Sequence, residues 1–335
     1  MPLWPVYTGS NEPHDGITRL PPPPPWRAFD GAPVIRTPEE AADASTVSPD
    51  RTHRAATYRA TQETVQLVNA ALYLRRPLLV TGPPGTGKSS LVYAVARELR
   101  LGPVLRWNIT SRSTLHDGLY QYDPLSRLYA ARQAPAAAEA GIEDHLRLGP
   151  LGTALLPHAH PRALLIDEID KSDLDLPNDL LNVLEEGQYE IPELVRSARR
   201  TPTAEVMIDG TDERVPVERG RVRCRAFPFV VLTSNGEREF PPAFLRRCVT
   251  LRLRQPDDDQ LAAIVRAHFD EEPDAYAQSL ISRFLSRVGG GDLATDQLLN
   301  AIYLARSSDL GAESLDELAE QLMPYLSDSG HTDAF

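Results

Sequence analysis

The decapeptide TGPPGTGKSS at residues 81–90 limits what this chain can fold into more than any other stretch. Gly82, Gly85 and Gly87 permit backbone turns that other residues resist, and Lys88 and Ser89 follow at once. The pattern G-x-x-x-x-G-K-[ST] wraps main-chain N–H groups around phosphate oxygens when a strand delivers it and a helix follows. Both flanks are present: PLLVT at 77–81 reads as a buried strand, and Leu91, Val92, Val95, Ala96 and Leu99 share one side of a helix predicted over Lys88 to Arg100. Gly82, Pro83, Pro84, Gly85, Thr86, Gly87, Lys88, Ser89 and Ser90 therefore form the candidate phosphate grip. Lys88 is placed to reach the outer phosphates, and the Ser89 hydroxyl can ligate Mg²⁺.

A chain of 335 residues can bury enough surface for more than one folded unit. Residues 1–50 contain PPPPP at 21–25 and few large apolar side chains. They are expected to be a proline-rich, extended or loosely ordered arm, either a linker hugging the surface or a docking peptide for an aromatic groove. Val65, Val68 and Leu72 lie at helical spacing within 62–74, and strands are predicted at 103–109, 163–167 and 229–234. Strands alternating with helices predict an α/β fold, a mainly parallel sheet between helices, over 51–254. A hairpin predicted within 200–228 belongs to that domain. Beyond Gln255 only helical periodicity remains, over 258–269, 275–288, 295–306 and 314–326, so 255–330 reads as a small all-helical lid domain. Asp259, Thr295 and Ser314 are the expected N-caps, Ser314 with Glu317 spelling a capping box.

Composition excludes several classes. Hydrophobic content of 41% with 24% charged residues is ordinary for a globular protein, and no run of about 18 apolar residues predicts a membrane span. The start lacks the pattern of a secretory leader, and Cys224 and Cys248 make no metal or disulfide framework, so a cytoplasmic setting is expected. A net charge of −12 disfavours indiscriminate attraction to nucleic acid.

Three further segments carry chemistry. RALLIDEID at 162–170 ends an apolar strand in Asp167 and Glu168. Strand alternation would send the two carboxylates in different directions, Asp167 to support Mg²⁺ and Glu168 to activate water. TSN at 233–235 ends another strand, where Asn235 can orient water or touch a terminal phosphate. PPAFLRRC at 241–248 holds Arg246 and Arg247, which can project into a neighbouring subunit's nucleotide. Separately, Arg219, Arg221, Arg223 and Arg225 alternate with small or apolar residues, predicting four guanidiniums on one face of one strand. That strand is either an ion-paired hairpin or an anion-gripping element.

With these segments in this order before a helical domain, residues 55–326 resemble the AAA+ ATPases, and among them the MoxR family. PLLVTGPPGTGKSSL is similar to the family's Walker A region, and ALLIDEIDKSDLDLPNDLLNVLEEGQYEIPEL to its Walker B strand and following helix. LGPLGTALL at 148–156 is similar to the segment that the family carries before Walker B, after an insertion in its second helix, which the resemblance places within about 111–150. The resemblance implies that Lys88, Ser89 and Asp167 hold ATP and Mg²⁺, that Glu168 is catalytic and that Asn235 is the first sensor. It places Arg247 on the arginine-finger position, while Arg246 replaces an acidic residue there, so both remain candidates. Asp296 stands where the family's second sensor arginine would be. The family forms rings, commonly hexamers, and often works with a partner bearing a von Willebrand factor A domain. The resemblance thus implies a chaperone-like motor acting on a protein client. The alternative is a nucleic-acid-directed motor or a component of a defence complex, supported by the arginine strand alone. A third class, a nucleotide-dependent scaffold without turnover, follows from the altered sensor position but needs neither Glu168 nor a finger.

Overall fold

The computed structural model describes residues 4–38, 48–133, 141–269, 271–288, 294–308 and 312–323. In chain order the strands are β1 (Leu78–Thr81), β2 (Leu105–Asn108), β3 (Tyr120–Tyr122), β4 (Leu146–Leu148), β5 (Ala163–Asp167), β6 (Gln188–Glu190), β7 (Thr203–Met207), β8 (Arg214–Glu218), β9 (Arg221–Arg223), β10 (Phe229–Ser234) and β11 (Val249–Arg252). The helices are α1 (Pro49–Thr57), α2 (Gln62–Leu74), α3 (Lys88–Glu98), α4 (Leu115–Leu119), α5 (Pro124–Gln133), α6 (Pro150–Ala154), α7 (Leu176–Glu186), α8 (Pro192–Ser197), α9 (Pro242–Leu245), α10 (Asp258–Phe269), α11 (Ala275–Val288), α12 (Thr295–Ser307) and α13 (Ala312–Leu322).

Five parallel strands in the order β11-β1-β10-β5-β2 form the central sheet. Its pleat sends Leu79, Leu164, Ile166 and Leu232 to one face and Leu78, Val80, Leu165 and Val231 to the other, and each set joins a separate core. Burial on both faces is why the three inner strands β1, β10 and β5 read as continuous apolar runs. Edge strand β11 escapes that criterion, because Thr250 and Arg252 are exposed between Val249 and Leu251, giving an alternating pattern. A third core, built by α10 to α13, is separate from both and belongs to the helical domain.

Several local expectations are corrected. α10 is capped by Asp257, whose Oδ1 accepts from the Gln260 N–H at 2.9 Å, and Asp259 lies inside the helix. Thr295 is the first residue of α12 and not its cap; the Ala294 N–H donates to Gln297 Oε1 at 2.9 Å. α13 starts at Ala312, so Ser314 and Glu317 are within it and form no capping box; the part predicted beyond 323 lies outside the described residues. Periodicity fixed the buried face of these helices but not the residue at which each begins.

The hairpin β7–β8 pairs antiparallel, Val206 opposite Val215. The arginines that follow do not share one strand face. Arg219 (φ 53°) and Gly220 (φ 70°) turn the chain, and β9 pairs with β6 in a different sheet. A Cβ on Gly220 would lie 2.5 Å from the Val195 nitrogen, so only glycine fits this turn. Arg221 is ion-paired to Glu190 and Arg223 to Asp30, each at 2.9 Å.

The proline-rich arm is extended along 4–38 and fixed to the sheet domain by two buried polar groups. Asn69 on α2 accepts from the Val6 and Tyr7 N–H groups at 2.6 and 3.0 Å and donates to Tyr7 O at 2.7 Å. Glu98 at the end of α3 is fully buried; it accepts from Thr8 N, Thr8 Oγ1, Gly9 N and Asn11 N between 2.5 and 3.3 Å. A carboxylate buried without these donors would carry a desolvation cost that nothing offsets, so the arm and Glu98 depend on one another. Further along, Arg27 donates to the carbonyls of Arg75, Leu184 and Glu185, closing the C-terminal ends of α2 and α7 with one guanidinium. We expect Glu98→Ala to lower unfolding free energy by about 3 kcal/mol. The same variant should open residues 4–20 to limited proteolysis, read by mass spectrometry of the first fragments.

Candidate active site

The loop after β1, the C-terminal ends of β5, β10 and β11, the turn before α2 and the lid helices α10 and α12 enclose a cleft of about 1010 Å³. Pro84 to Ser90, Asp167, Glu168, Thr233 and Asn235 line it. Gly85 holds φ 71°, and a Cβ there would stand 2.4 Å from Ala294 Cβ, so the bare glycine lets the loop touch the start of α12. Thr86 Oγ1 donates to Pro83 O at 2.9 Å and stiffens the turn. Left-handed Gly87 then starts α3, whose first N–H groups face the cleft with the positive end of the helix. Ser90 N–H closes the first turn onto Gly87 O at 3.1 Å.

Lys88 is buried, its Nζ donating to Gly82 O and Pro83 O at 2.8 Å each. Burial lowers its pKa, and the nearby carboxylates of Asp170, Asp167 and Glu168 oppose that shift. A cation held in a half-desolvated pocket beside an N–H cradle is suited to an anion carrying several charges.

Asp167 is the junction of the site. Its Oδ1 accepts from Ser89 Oγ and Thr233 Oγ1, both at 2.7 Å, and its Oδ2 takes Arg106 Nη2 at 3.0 Å. The loop, β10 and β2 thus meet on one carboxylate. Ser89 and Asp167 offer hard oxygen donors, the chemistry Mg²⁺ prefers, and among the described residues no cluster of three or more His, Cys, Asp or Glu side chains competes for a metal. The sparse protein ligation fits an ion that keeps most of its shell for phosphate and water.

Glu168 diverges from Asp167 for a different reason from the one expected. β5 ends at Asp167, and Glu168 adopts left-handed φ 61°, its N–H held by Thr233 Oγ1 at 2.9 Å. The turn, not strand alternation, aims the second carboxylate. Lys171 Nζ donates to Glu168 Oε2 at 2.8 Å, and that bond raises the Lys171 pKa.

Asn235 lies at the end of β10 in the same cleft, and its placement depends on a residue that the motif reading passed over. Asp170, 3% exposed, accepts through Oδ2 from the N–H groups of Asn235, Gly236 and Glu237 at 2.9, 3.0 and 3.1 Å. The available signal was a third acid two residues beyond the DE pair. Thr233 and Arg106 were missed likewise, since both act through contacts between strands distant in sequence. Asp296 lines the cleft from the first turn of α12.

Arg246 and Arg247 are not brought to this cleft. They follow α9 and precede β11, at the N-terminal edge of the sheet, where Arg246 O accepts from Arg76 Nη1 at 2.9 Å. Arg247 Nε stands 3.7 Å from Glu185 Oε1. Both cysteines are buried, with burial pushing their thiols up to about 12, which suits neither metal nor redox work.

A parallel sheet in the order above, a phosphate loop after its β1, paired carboxylates ending β5 and a helical domain against the loop together define an AAA+ fold of the P-loop class. The chain belongs to the AAA domain family, dynein-related subfamily, which it matches over residues 77–248. No curated protein matches the chain. Among solved structures it is similar to that of NtrX from Brucella abortus in complex with ADP, at 14% identity and a TM-score of 0.40. The match covers 82% of this chain and 58% of NtrX, so the chain spans under two thirds of that protein's length. No helix among the described residues is long and apolar enough to cross a membrane.

Asp170→Ala should leave nucleotide affinity within about threefold of wild type but lower the turnover of bound ATP by about tenfold or more, because it releases the backbone that carries Asn235. Equilibrium binding of a fluorescent ATP analogue and steady-state turnover check the two halves separately.

Proposed function

We propose that this protein is a Mg²⁺-dependent ATP hydrolase of MoxR type that assembles with copies of itself, as a hexameric ring, and remodels a protein client. The observation that carries this reading is the separation of the arginines from the carboxylates. β1 spans four residues, about 13 Å of extended chain, between the Arg76–Arg246 contact and the phosphate loop. Arg247 therefore lies at the opposite end of the sheet from its own Glu168, and its natural target is the nucleotide of an adjoining copy. A guanidinium supplied in trans accelerates phosphoryl transfer by about 10³ to 10⁵.

Within one copy the N–H groups of the loop and Lys88 bind the β- and γ-phosphates, and Ser89 and Asp167 would hold Mg²⁺. The metal, when bound, neutralises charge on the phosphates. Glu168 orients and deprotonates the attacking water, whose proton passes to its carboxylate. Asn235, fixed by Asp170, holds that water or the γ-phosphate in line, and a neighbour's Arg247, with Arg246 beside it, meets the charge that develops on the phosphoryl oxygens. Asp296 cannot supply a cation to the phosphates, so closure relies on the neighbouring copy in place of a lid arginine. The segment at 148–156, similar in sequence to the one MoxR proteins carry before Walker B, opens α6 at Pro150 and packs Leu148, Leu151, Ala154, Leu155 and Leu156 into the core. A partner with a von Willebrand factor A domain belongs to the same reading. Nucleic acid is not favoured, since Arg221 and Arg223 are engaged by carboxylates and Arg219 leaves their face.

Glu168→Gln is expected to bind ATP with near wild-type affinity and turn it over at least about 10²-fold more slowly. Lys88→Ala should lose binding itself. Mixing Arg247→Ala with Glu168→Gln subunits should recover part of the wild-type rate under assembling conditions; activity no higher than the sum of the separate variants would refute a finger acting in trans.

A further inference from the structure

We propose that Asn11, on the proline-rich arm, is a positioning residue for bound nucleotide: its carboxamide holds the turn at 57–61 that walls the nucleoside end of the cleft. This inference rests on the reading that ATP is the ligand, and it brings into the site a segment outside the matched family domain.

Asn11 is 6% exposed and left-handed, at φ 61°, a conformation that asparagine tolerates better than most residues. Its N–H donates to Glu98 Oε2 at 3.0 Å, which pins this point of the arm to the end of α3. From there the side chain crosses to α1, where Nδ2 donates to Tyr58 O at 2.5 Å and to Ala56 O at 3.2 Å. Only the NH₂ end of a carboxamide can meet two carbonyls, so the orientation of the group is fixed. Both acceptors stand at the C-terminal end of α1, where helix carbonyls lack partners of their own. Two residues back, Gly9 lies against the same turn: a Cβ there would stand 3.0 Å from Ala60 Cβ. The arm thus backs the turn at two points.

The turn also faces the cleft. Tyr58 and Arg59 line it together with Ile264, His268 and Leu299 of the lid helices. The Tyr58 ring lies beside the phosphate loop, its Cε2 3.3 Å from where a Cβ on Gly87 would be. Phosphates held by Lys88 and the loop leave the nucleoside this part of the cleft, whose tyrosine, isoleucine and leucine suit the faces of a base. Residues 58–61 belong to neither α1 nor α2, so their place is set by what they touch. The lid meets α1 as well, ring nitrogens of His53 and His268 standing 2.9 Å apart. The lid therefore rests on a wall whose place the arm sets.

The test is Asn11→Gly in the full chain. Glycine accepts the left-handed backbone and keeps the N–H that meets Glu98, so only the bonds to α1 are lost. Affinities for a non-hydrolysable ATP analogue and for tripolyphosphate, each with Mg²⁺, are measured by calorimetry, with a melting curve to show that the variant is folded. The analogue is expected to bind at least about fivefold more weakly while tripolyphosphate stays within about twofold of wild type, because the loss falls on the nucleoside end. Asn11→Asp, close in size and without the NH₂ donor, should reproduce the pattern and gives a second measurement if glycine loosens the arm. Analogue binding equal to wild type in both variants, or an equal loss for both ligands, would overturn the inference and leave the nucleotide reading intact. If the wild-type chain binds neither ligand, that reading falls, and the inference with it.

Discussion

The carboxylate of Asp167 is the interaction on which the rest of the site depends. Ser89 arrives from the phosphate loop, Thr233 from β10 and Arg106 from β2, and each is within 3.0 Å of one of its oxygens. Three segments far apart in sequence are thereby held in register at the C-terminal edge of the sheet. Thr233 then passes the constraint on, because its hydroxyl also accepts the N–H of Glu168 and holds that residue in its left-handed turn. Loss of the aspartate would leave the Ser89 and Thr233 hydroxyls without this acceptor, Thr233 at a buried position.

Asp170 does for the loop after β10 what Asp167 does for the phosphate loop. Together the two acids set the separation of Lys88, Glu168 and Asn235, and Lys88 sits in their combined field. Several acids around one lysine would be costly in a dry interior. They are tolerable in a cleft open to solvent and suited to an anion that brings its own cation.

The arm shows how a proline-rich segment can be ordered with little regular structure beyond two short 3₁₀ turns, Gly16–Arg19 and Pro25–Arg27. Its backbone N–H groups find acceptors in Asn69 and Glu98, and Arg27 returns donors to the ends of α2 and α7. The exchange is reciprocal: the arm supplies partners for polar groups that the sheet domain buries, and the domain supplies partners for the arm.

The sequence by itself determined the architecture and the chemistry-bearing motifs. The phosphate loop is contiguous, the inner strands are apolar on both faces, and the helical domain keeps a 3.6-residue period, so each signal is local and survives without the fold. Tertiary structure decided what depends on long-range contact. It placed β11 at the edge, where alternation hides a strand among polar residues, and it split the arginine run through the left-handed turn at 219–220. It recruited Thr233, Arg106 and Asp170 to the site, and it set Arg247 at the far end of the sheet from Glu168. A hydrogen bond between residues more than sixty positions apart leaves no period or spacing in the chain, because it is made only when a parallel sheet brings the ends of its strands side by side.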